Sequence, residues 1–388
     1  MKSVILRAPL LTQSGYGVHA RQVARWLFDL ADTRGDLEIT TEPLRWGETP
    51  WITDPESHDG LIGRILQSSN QKQSYDVSIQ LQLPNEWNPF LANYNIGLTA
   101  AVEADRCNPE WVAAVNRMDM VIVPSEFVGK VFTNTGKVTT KMVVVPESFI
   151  DSVAKETVAP YPLETTTDFN FLVFGQITGN NPENDRKNLF YTCKWLAEQF
   201  KDSTNVGVIV KTNMGRHTTV DRMRTQQLLS QLLTEVQRGP GPKFYLLHGD
   251  MTDDEVAGLY RNPTVKAMVA LTRGEGFGLP ILEAAASGLP VIATDWSAHT
   301  EYLGKGKYIK VDSTLAPVHQ SRVDGQIFIE GAQWANPSED DAKRKLKKFV
   351  ESPSMPTEWA KDLAKTLRNE YSYSAIAAKY SEALKDVL

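Results

Sequence analysis

Cysteine is nearly missing from this chain of 388 residues, which has only Cys107 and Cys193. They stand far apart and outside any C-x-x-C or Cys/His ligand spacing, which argues against a disulfide framework and a structural zinc site and suits a reducing compartment. No apolar run approaches the roughly 20 residues a membrane span needs. In the opening "MKSVILRAPLLTQSGYG", Arg7 and Pro9 break the apolar run before it reaches signal-peptide length. The expectation is a soluble cytoplasmic protein with no transmembrane segment. A surplus of positive charge is lacking too: the formal net charge of -6 and pI near 5.7 give no global electrostatic reason to bind nucleic acid. A local basic edge, such as Lys130, Lys137 and Lys141, stays compatible with a nucleic-acid partner, although such loop lysines are usually only solvated. There is no Walker lysine loop, H-E-x-x-H or G-x-S-x-G, which removes the commonest ATPase, zinc-protease and esterase readings.

What is present is alternation. "KSVILRAP" is a short apolar run, followed by the glycine-containing "SGYG" loop and by "VHARQVARWLFDLA", where Val23, Leu27 and Leu30 recur at helical spacing. "YDVSIQLQL", "NYNIGLTAA", "MDMVIVPS" and "KMVVVPES" read as strands, with "NPEWVAAVNRM" and "SEFVGKVFTNTG" between them as helices. After a Thr/Pro-rich connection at residues 151–169 the pattern restarts with "NFLVFGQI", "NVGVIVKT", "KFYLLHG", "AMVALT" and "PVIAT". Such alternation predicts α/β architecture, two doubly wound Rossmann-like domains with mostly parallel sheets. The predicted boundaries are 1–155 for the first domain, 156–365 for the second and 366–388 for a final helix, the whole stretch from "TEWAKDL" to the end reading as helix.

The second domain contains "RGEGFGLPILEAAASGLPVIATD", residues 273–295. It places a glycine loop after the strand "AMVALT" and a helix that begins near Pro280 and ends near Gly288. Ligands of open parallel sheets bind at strand carboxyl ends, and a helix start offers unpaired N–H groups to an anion. Glu275 before the helix and Glu283 about one turn inside it can face one crevice. Carboxylates repel phosphate but accept hydrogen bonds from sugar hydroxyls, which makes them candidates for a transferred sugar and a ribose. A plain glycine loop, with Glu275 solvated and Glu283 ion-paired, fits the spacing as well.

The stretch "EGFGLPILEAAASGLPVIATDWSAHTEYL" resembles the E-x7-E signature of retaining glycosyltransferases of the GT-B fold, the family-4-like group. "FYLLHGDMTDDEVAGLYRNPTVKAMVALTRGEGFG" upstream and "SGYGVHARQVARWL", "MVIVPSEFVGKVF" and "VVVPESFID" near the start extend the resemblance over most of the chain. It implies two domains facing across a cleft, the last helix crossing back to the first, and transfer from a nucleoside-diphosphate sugar co-substrate without an obligatory metal. In that reading Glu275 binds the donor sugar, Glu283 the ribose, and the backbone of Gly276, Phe277, Gly278 and Leu279 the sugar and diphosphate. The family's basic pair falls in "FGQITGNNPENDRKNL", where Lys187 matches the lysine. Gln176 after Gly175 replaces the arginine, so Arg186, Lys211 or Arg273 is left to supply the second cation. Backbone around His248, Gly249 and Met251 would read the base. In the first domain Gly15, Gly17 and His19 face the donor phosphate, and Glu103 and Asp105 stand where many members carry a histidine. Those two acids would bind or deprotonate the acceptor. Lys187, Glu275 and Glu103 are therefore the catalytic candidates.

The same first loop satisfies G-x-G-x-x-A through Gly15, Gly17 and Ala20, with Glu38 or Glu42 as the acid, which keeps a nicotinamide-dependent oxidoreductase open. A nucleotide-sugar epimerase of the same fold is the other alternative. Trp46, with Trp51 and Trp87, offers either an acceptor-stacking surface or ordinary packing. The acceptor hydroxyl, on a glycan, lipid, protein or modified nucleobase, is not legible from these residues.

Overall fold

A computed structural model describes residues 1–179, 181–213, 215–237 and 239–388. The apolar runs become parallel strands because both faces of each sheet are covered, so residues need not alternate. In the first unit the strands are β1 (Lys2–Ala8), β2 (Leu37–Pro43), β3 (Val77–Leu81), β4 (Tyr94–Leu98), β5 (Met120–Val123) and β6 (Lys141–Val144), paired in the order β2-β1-β3-β4-β5-β6. All four residues of β5 are buried. Its helices are α1 (Gly15–Arg34), α2 (Leu61–Gln67), α3 (Pro109–Val115) and α4 (Glu126–Thr135). β2 was not expected from the sequence; its charged residues are taken up at the sheet margin, Glu42 pairing with Arg7 at 3.3 Å and Glu38 with Lys72.

The residues "SGYG", expected as loop, instead open α1. Ser14 caps it, its Oγ accepting the Gly17 N–H at 3.0 Å. A Cβ on Gly17 would lie 2.0 Å from the Thr12 carbonyl oxygen, so the glycine is required by close packing.

The second unit holds β7 (Phe169–Phe174), β8 (Val206–Thr212), β9 (Lys243–His248), β10 (Val265–Ala270), β11 (Val291–Thr294) and β12 (Ile309–Val311), all parallel in the order β12-β11-β10-β7-β8-β9. A separate antiparallel hairpin joins β13 (Ser313–Pro317) and β14 (Gln333–Pro337). The helices are α5 (Leu189–Gln199), α6 (Thr219–Val236), α7 (Asp253–Tyr260), α8 (Leu279–Ser287), α9 (His299–Leu303), α10 (Glu339–Glu351) and α11 (Ser354–Glu370). Under one face of the sheet Phe171, Val173, Leu196, Val208, Val210, Leu346 and Phe349 form a continuous core. Full burial of each such side chain is worth about 1.5–3 kcal/mol, which anchors the strand ends that carry the loops.

The compact units are Met1–Ser148 with Tyr373–Leu388, and Phe149–Ser372. The changeovers thus fall at 148/149 and 372/373, against expected positions of 155/156 and 365/366. The C-terminal stretch is not one helix: α11 stops at Glu370 and α12 (Tyr373–Leu384) begins after a two-residue break. α12 packs within the first unit. Trp26 stacks on Tyr380 at 5.1 Å and donates from Nε1 to Ser381 Oγ at 2.9 Å. Among the described residues no helix is long and apolar enough to cross a membrane.

Candidate functional site

In the second unit the strand order reverses between β7 and β10, so the loops after them diverge and leave room at their carboxyl ends. The loop at 271–278 carries Glu275, and the long loop at 175–188 carries Arg186 and Lys187. The described residues of the long loop are held by their own side chains. Asp185, fully buried, accepts from Thr178 Oγ1 at 2.9 Å and from the Leu189 N–H at 2.6 Å. Its far end is sewn to the β10 loop, the Arg273 N–H donating to the Arg186 carbonyl at 2.9 Å. Backbone pairing therefore brings the basic pair to Glu275 despite the extra loop length.

Lys187 Nζ donates to both Glu275 oxygens, at 2.7 and 2.8 Å. Arg186 Nη1 lies 3.3 Å from Glu275 Oε2 and donates to the Gly274 carbonyl at 2.7 Å. Glu275 is only 5% exposed. Burial alone would raise its pKa, but the Lys187 and then the Arg186 charges outweigh it and hold the carboxyl at about 2. The plain-loop alternative of a solvated Glu275 is thereby excluded. A narrow cavity lined by Phe174, Lys187, Thr272, Glu275 and Gly278 opens beside the pair.

Ser297 fixes the Glu275 backbone, its Oγ accepting the Glu275 N–H at 2.9 Å; that hydroxyl lies 3.3 Å from His299 Nδ1, and His299 Nε2 sits 2.7 Å from the Thr294 carbonyl. Neither was singled out from the sequence; "DWSAH" carries no spacing signal that ties it to a loop 20 residues earlier. Gly278, whose φ of 91° lies in the left-handed region, immediately precedes α8, and Pro280 occupies the first turn. Tyr302 OH donates to the Gly278 carbonyl at 2.8 Å and packs on Phe277 at 5.5 Å, fixing the 276–279 backbone. Gly276 is buried and Leu279 opens the helix.

Glu283 is also buried, at 6% exposure, but among the described residues no cation pairs with it: Tyr260 OH donates to its Oε2 at 3.2 Å. Burial, then the nearby Asp253 charge, push its pKa up to about 8 against the Tyr260 and Ile150 hydrogen bonds. The ion-paired alternative for Glu283 does not hold. Tyr260, on α7, is a site residue the sequence did not reveal.

Of the other cation candidates, Arg273 is buried and turned toward Asn336 and the Pro182 carbonyl, near the rings of Trp334 and Tyr191. Lys211 Nζ donates to the Gly249 carbonyl at 2.5 Å and to Asn213 Oδ1 at 2.9 Å. Gln176 is exposed, and the Gly175 N–H is bound to the Lys211 carbonyl at 3.1 Å. His248 ends β9 beside the ring of His217, and Met251 precedes α7.

In the first unit Trp46 stacks on Tyr16 at 4.1 Å, and Tyr16 OH meets Thr99 Oγ1 and the Ala100 N–H at 3.1 Å each. This brings Gly15, Gly17 and Trp46 to the loop after β4 that bears Glu103 and Asp105; Asp105 pairs with Arg106 at 3.4 Å. Trp87 is packing: it is 6% exposed, and a Cβ on Gly97 would lie 2.6 Å from its ring. Trp51 is 41% exposed. His19 is buried, its Nε2 2.8 Å from Tyr380 OH. It lies 3.7 Å from Glu147, but burial lowers its pKa to about 3, so the contact joins a neutral ring to the carboxylate. Among the described residues no group of three or more His, Cys, Asp or Glu is placed to hold a metal ion.

Residues 236–366 match the family described as glycosyl transferases group 1. That match falls within the second unit, and the two six-stranded parallel α/β units together have the GT-B fold. More particularly, the chain is 27% identical over 167 residues to a probable sucrose-phosphate synthase of Thermosipho melanesiensis, a match spanning 42% of this chain and 36% of that protein. In fold it is similar to sucrose-phosphate synthase of Thermosynechococcus elongatus, with a TM-score of 0.64, 12% identity and coverage of 100% and 99% of the two chains. It is also similar to Anabaena Alr3699/HepE in complex with UDP and glucose, with a TM-score of 0.62, 13% identity and full coverage of both.

Proposed function

We propose that the protein transfers a sugar from a nucleoside-diphosphate sugar to a hydroxyl acceptor with retention of anomeric configuration. The observation that carries this reading is the buried Lys187–Glu275–Arg186 cluster at the β7/β10 switch point. Two cations converge where a helix start also presents backbone amides, a setting that stabilises a departing diphosphate. Glu275 neutralises them; a bound diphosphate takes over that role and releases the carboxylate to accept hydrogen bonds from sugar hydroxyls. Glu283 then takes the ribose, and the base lies against the 248–251 backbone.

In the reaction the bond from the anomeric carbon to the phosphate oxygen breaks and the acceptor oxygen bonds to that carbon on the same face. The acceptor proton passes to the leaving phosphate oxygen. Lys187 and Arg186 lower the cost of charge on that oxygen. Trp46, Glu103 and Asp105 are assigned to the acceptor, Trp46 by stacking and the acids by accepting hydroxyl protons in hydrogen bonds. Because the Anabaena structure holds UDP and glucose, UDP-sugars are the first donors to test.

The test is release of nucleoside diphosphate from a panel of UDP-, GDP- and ADP-sugars, with and without acceptor sugars. Wild type should release it and Glu275→Gln should fall by about 100-fold or more, as for loss of a transition-state contact. Unchanged release in that variant, or reduction of NAD by the wild type in its place, would refute the assignment.

A further inference from the structure

Resting on the nucleotide-sugar reading, we infer that Lys211 and Asn213 are positioning residues that set base preference by clamping the 248–251 loop, and that neither touches the diphosphate. A nucleotide with its diphosphate at Lys187 and its ribose at Glu283 is led toward α7. Glu283 receives a hydrogen bond from Tyr260 on that helix and lies near Asp253 in its first turn. The residues immediately before α7 are the 248–252 loop, so the base falls against that loop's backbone.

The loop is held at Gly249 from both sides. Lys211 Nζ donates to the Gly249 carbonyl at 2.5 Å, and Asn213 Oδ1 accepts the Gly249 N–H at 3.2 Å. Lys211 also donates to that same Asn213 oxygen at 2.9 Å, closing a three-membered polar ring. Gly249 has φ of 110°, a conformation that only glycine adopts freely, so its peptide orientation is set by these contacts. Strand register supports the clamp: Lys211 pairs with Leu247 and Thr212 with His248 across β8 and β9, which puts both clamping residues level with the loop. Lys211 is 3% exposed, its ammonium 5.8 Å from the Phe174 ring centre. A cation so placed is committed to the loop.

The test is calorimetric titration of wild type, Lys211→Met and Asn213→Leu with UDP, GDP, ADP and inorganic pyrophosphate. Losing a charged hydrogen bond to the loop should weaken the preferred nucleotide by about tenfold or more. Discrimination among the three nucleotides should shrink to about threefold, with pyrophosphate affinity held within about twofold. A purely structural defect would not separate nucleotide from pyrophosphate. A parallel loss of pyrophosphate affinity would make Lys211 a diphosphate ligand and overturn the inference, as would discrimination left intact in both variants. Asn213→Leu decides the question if Lys211→Met does not fold. Wild type that binds none of the nucleotides overturns the nucleotide-sugar reading itself, and this inference with it.

Discussion

Replacing Lys187 with methionine strips the buried Glu275 carboxylate of the group that donates to both its oxygens, leaving Arg186 Nη1 at 3.3 Å. The carboxyl's drop from 4.5 to about 2 measures the net gain from its cations after burial is counted. At about 1.36 kcal/mol per unit this is about 3 kcal/mol. Breaking one side of a buried pair leaves an uncompensated charge, so Lys187→Met should cost about 3–5 kcal/mol at pH 7. Glu275→Gln should cost less, about 1–2 kcal/mol, because the Lys187 side chain is 19% exposed and can turn to water. The double variant should fall short of the sum by about 2–3 kcal/mol. Urea unfolding, fitted with separate transitions for the two units, gives each value from the transition of Phe149–Ser372. The pH dependence is a second check. A depressed carboxyl stabilises the fold above its unfolded value, so wild type should lose this share as pH falls from 4.5 to about 2, and Glu275→Gln should not. Additivity within about 0.5 kcal/mol would refute the claim that the pair acts as one unit.

Glu283 runs the other way. Its folded pKa of about 8 exceeds the ordinary 4.5, so the wild type should lose stability relative to Glu283→Gln as pH rises from 4.5 to about 8, by at most about 5 kcal/mol. Melting temperatures that run parallel over that range would contradict it. His19, neutral down to about 3, should weaken the fold as pH falls from 6.5 toward 3, and His19→Gln should flatten that dependence in acid titrations followed by circular dichroism. Trp46→Ala removes the ring stacked on Tyr16 and should raise KM for a sugar acceptor about three- to tenfold while the donor Kd stays unchanged; an unchanged acceptor KM would return Trp46 to packing.

Much of this arrangement is legible in the chain itself. Continuous apolar runs such as "MVIV" and "AMVALT" announce strands buried on both faces, and the glycines around Glu275 announce a strand-to-helix turn. β2 escapes notice because "LEITTEP" interleaves charges whose partners, Arg7 and Lys72, come from elsewhere. The break between α11 and α12 falls at Tyr371 and Ser372, which carry no glycine or proline to mark it. Side-chain partners are the least legible part. The family pattern singles out Lys187 and leaves Lys211 as one of three options for a second phosphate cation, and only the fold sends one to Glu275 and the other to a glycine carbonyl. Likewise the spacing pairs Glu275 with Glu283, yet tertiary neighbours give them opposite pKa shifts.

The most direct measurement is a crystal structure of the protein with a nucleoside-diphosphate sugar that it turns over. A diphosphate oxygen should lie about 2.8 Å from Lys187 Nζ, with Glu275 released to the sugar hydroxyls and Glu283 on the ribose. Lys187 still locked on Glu275, with the diphosphate bound to other residues, would contradict the account.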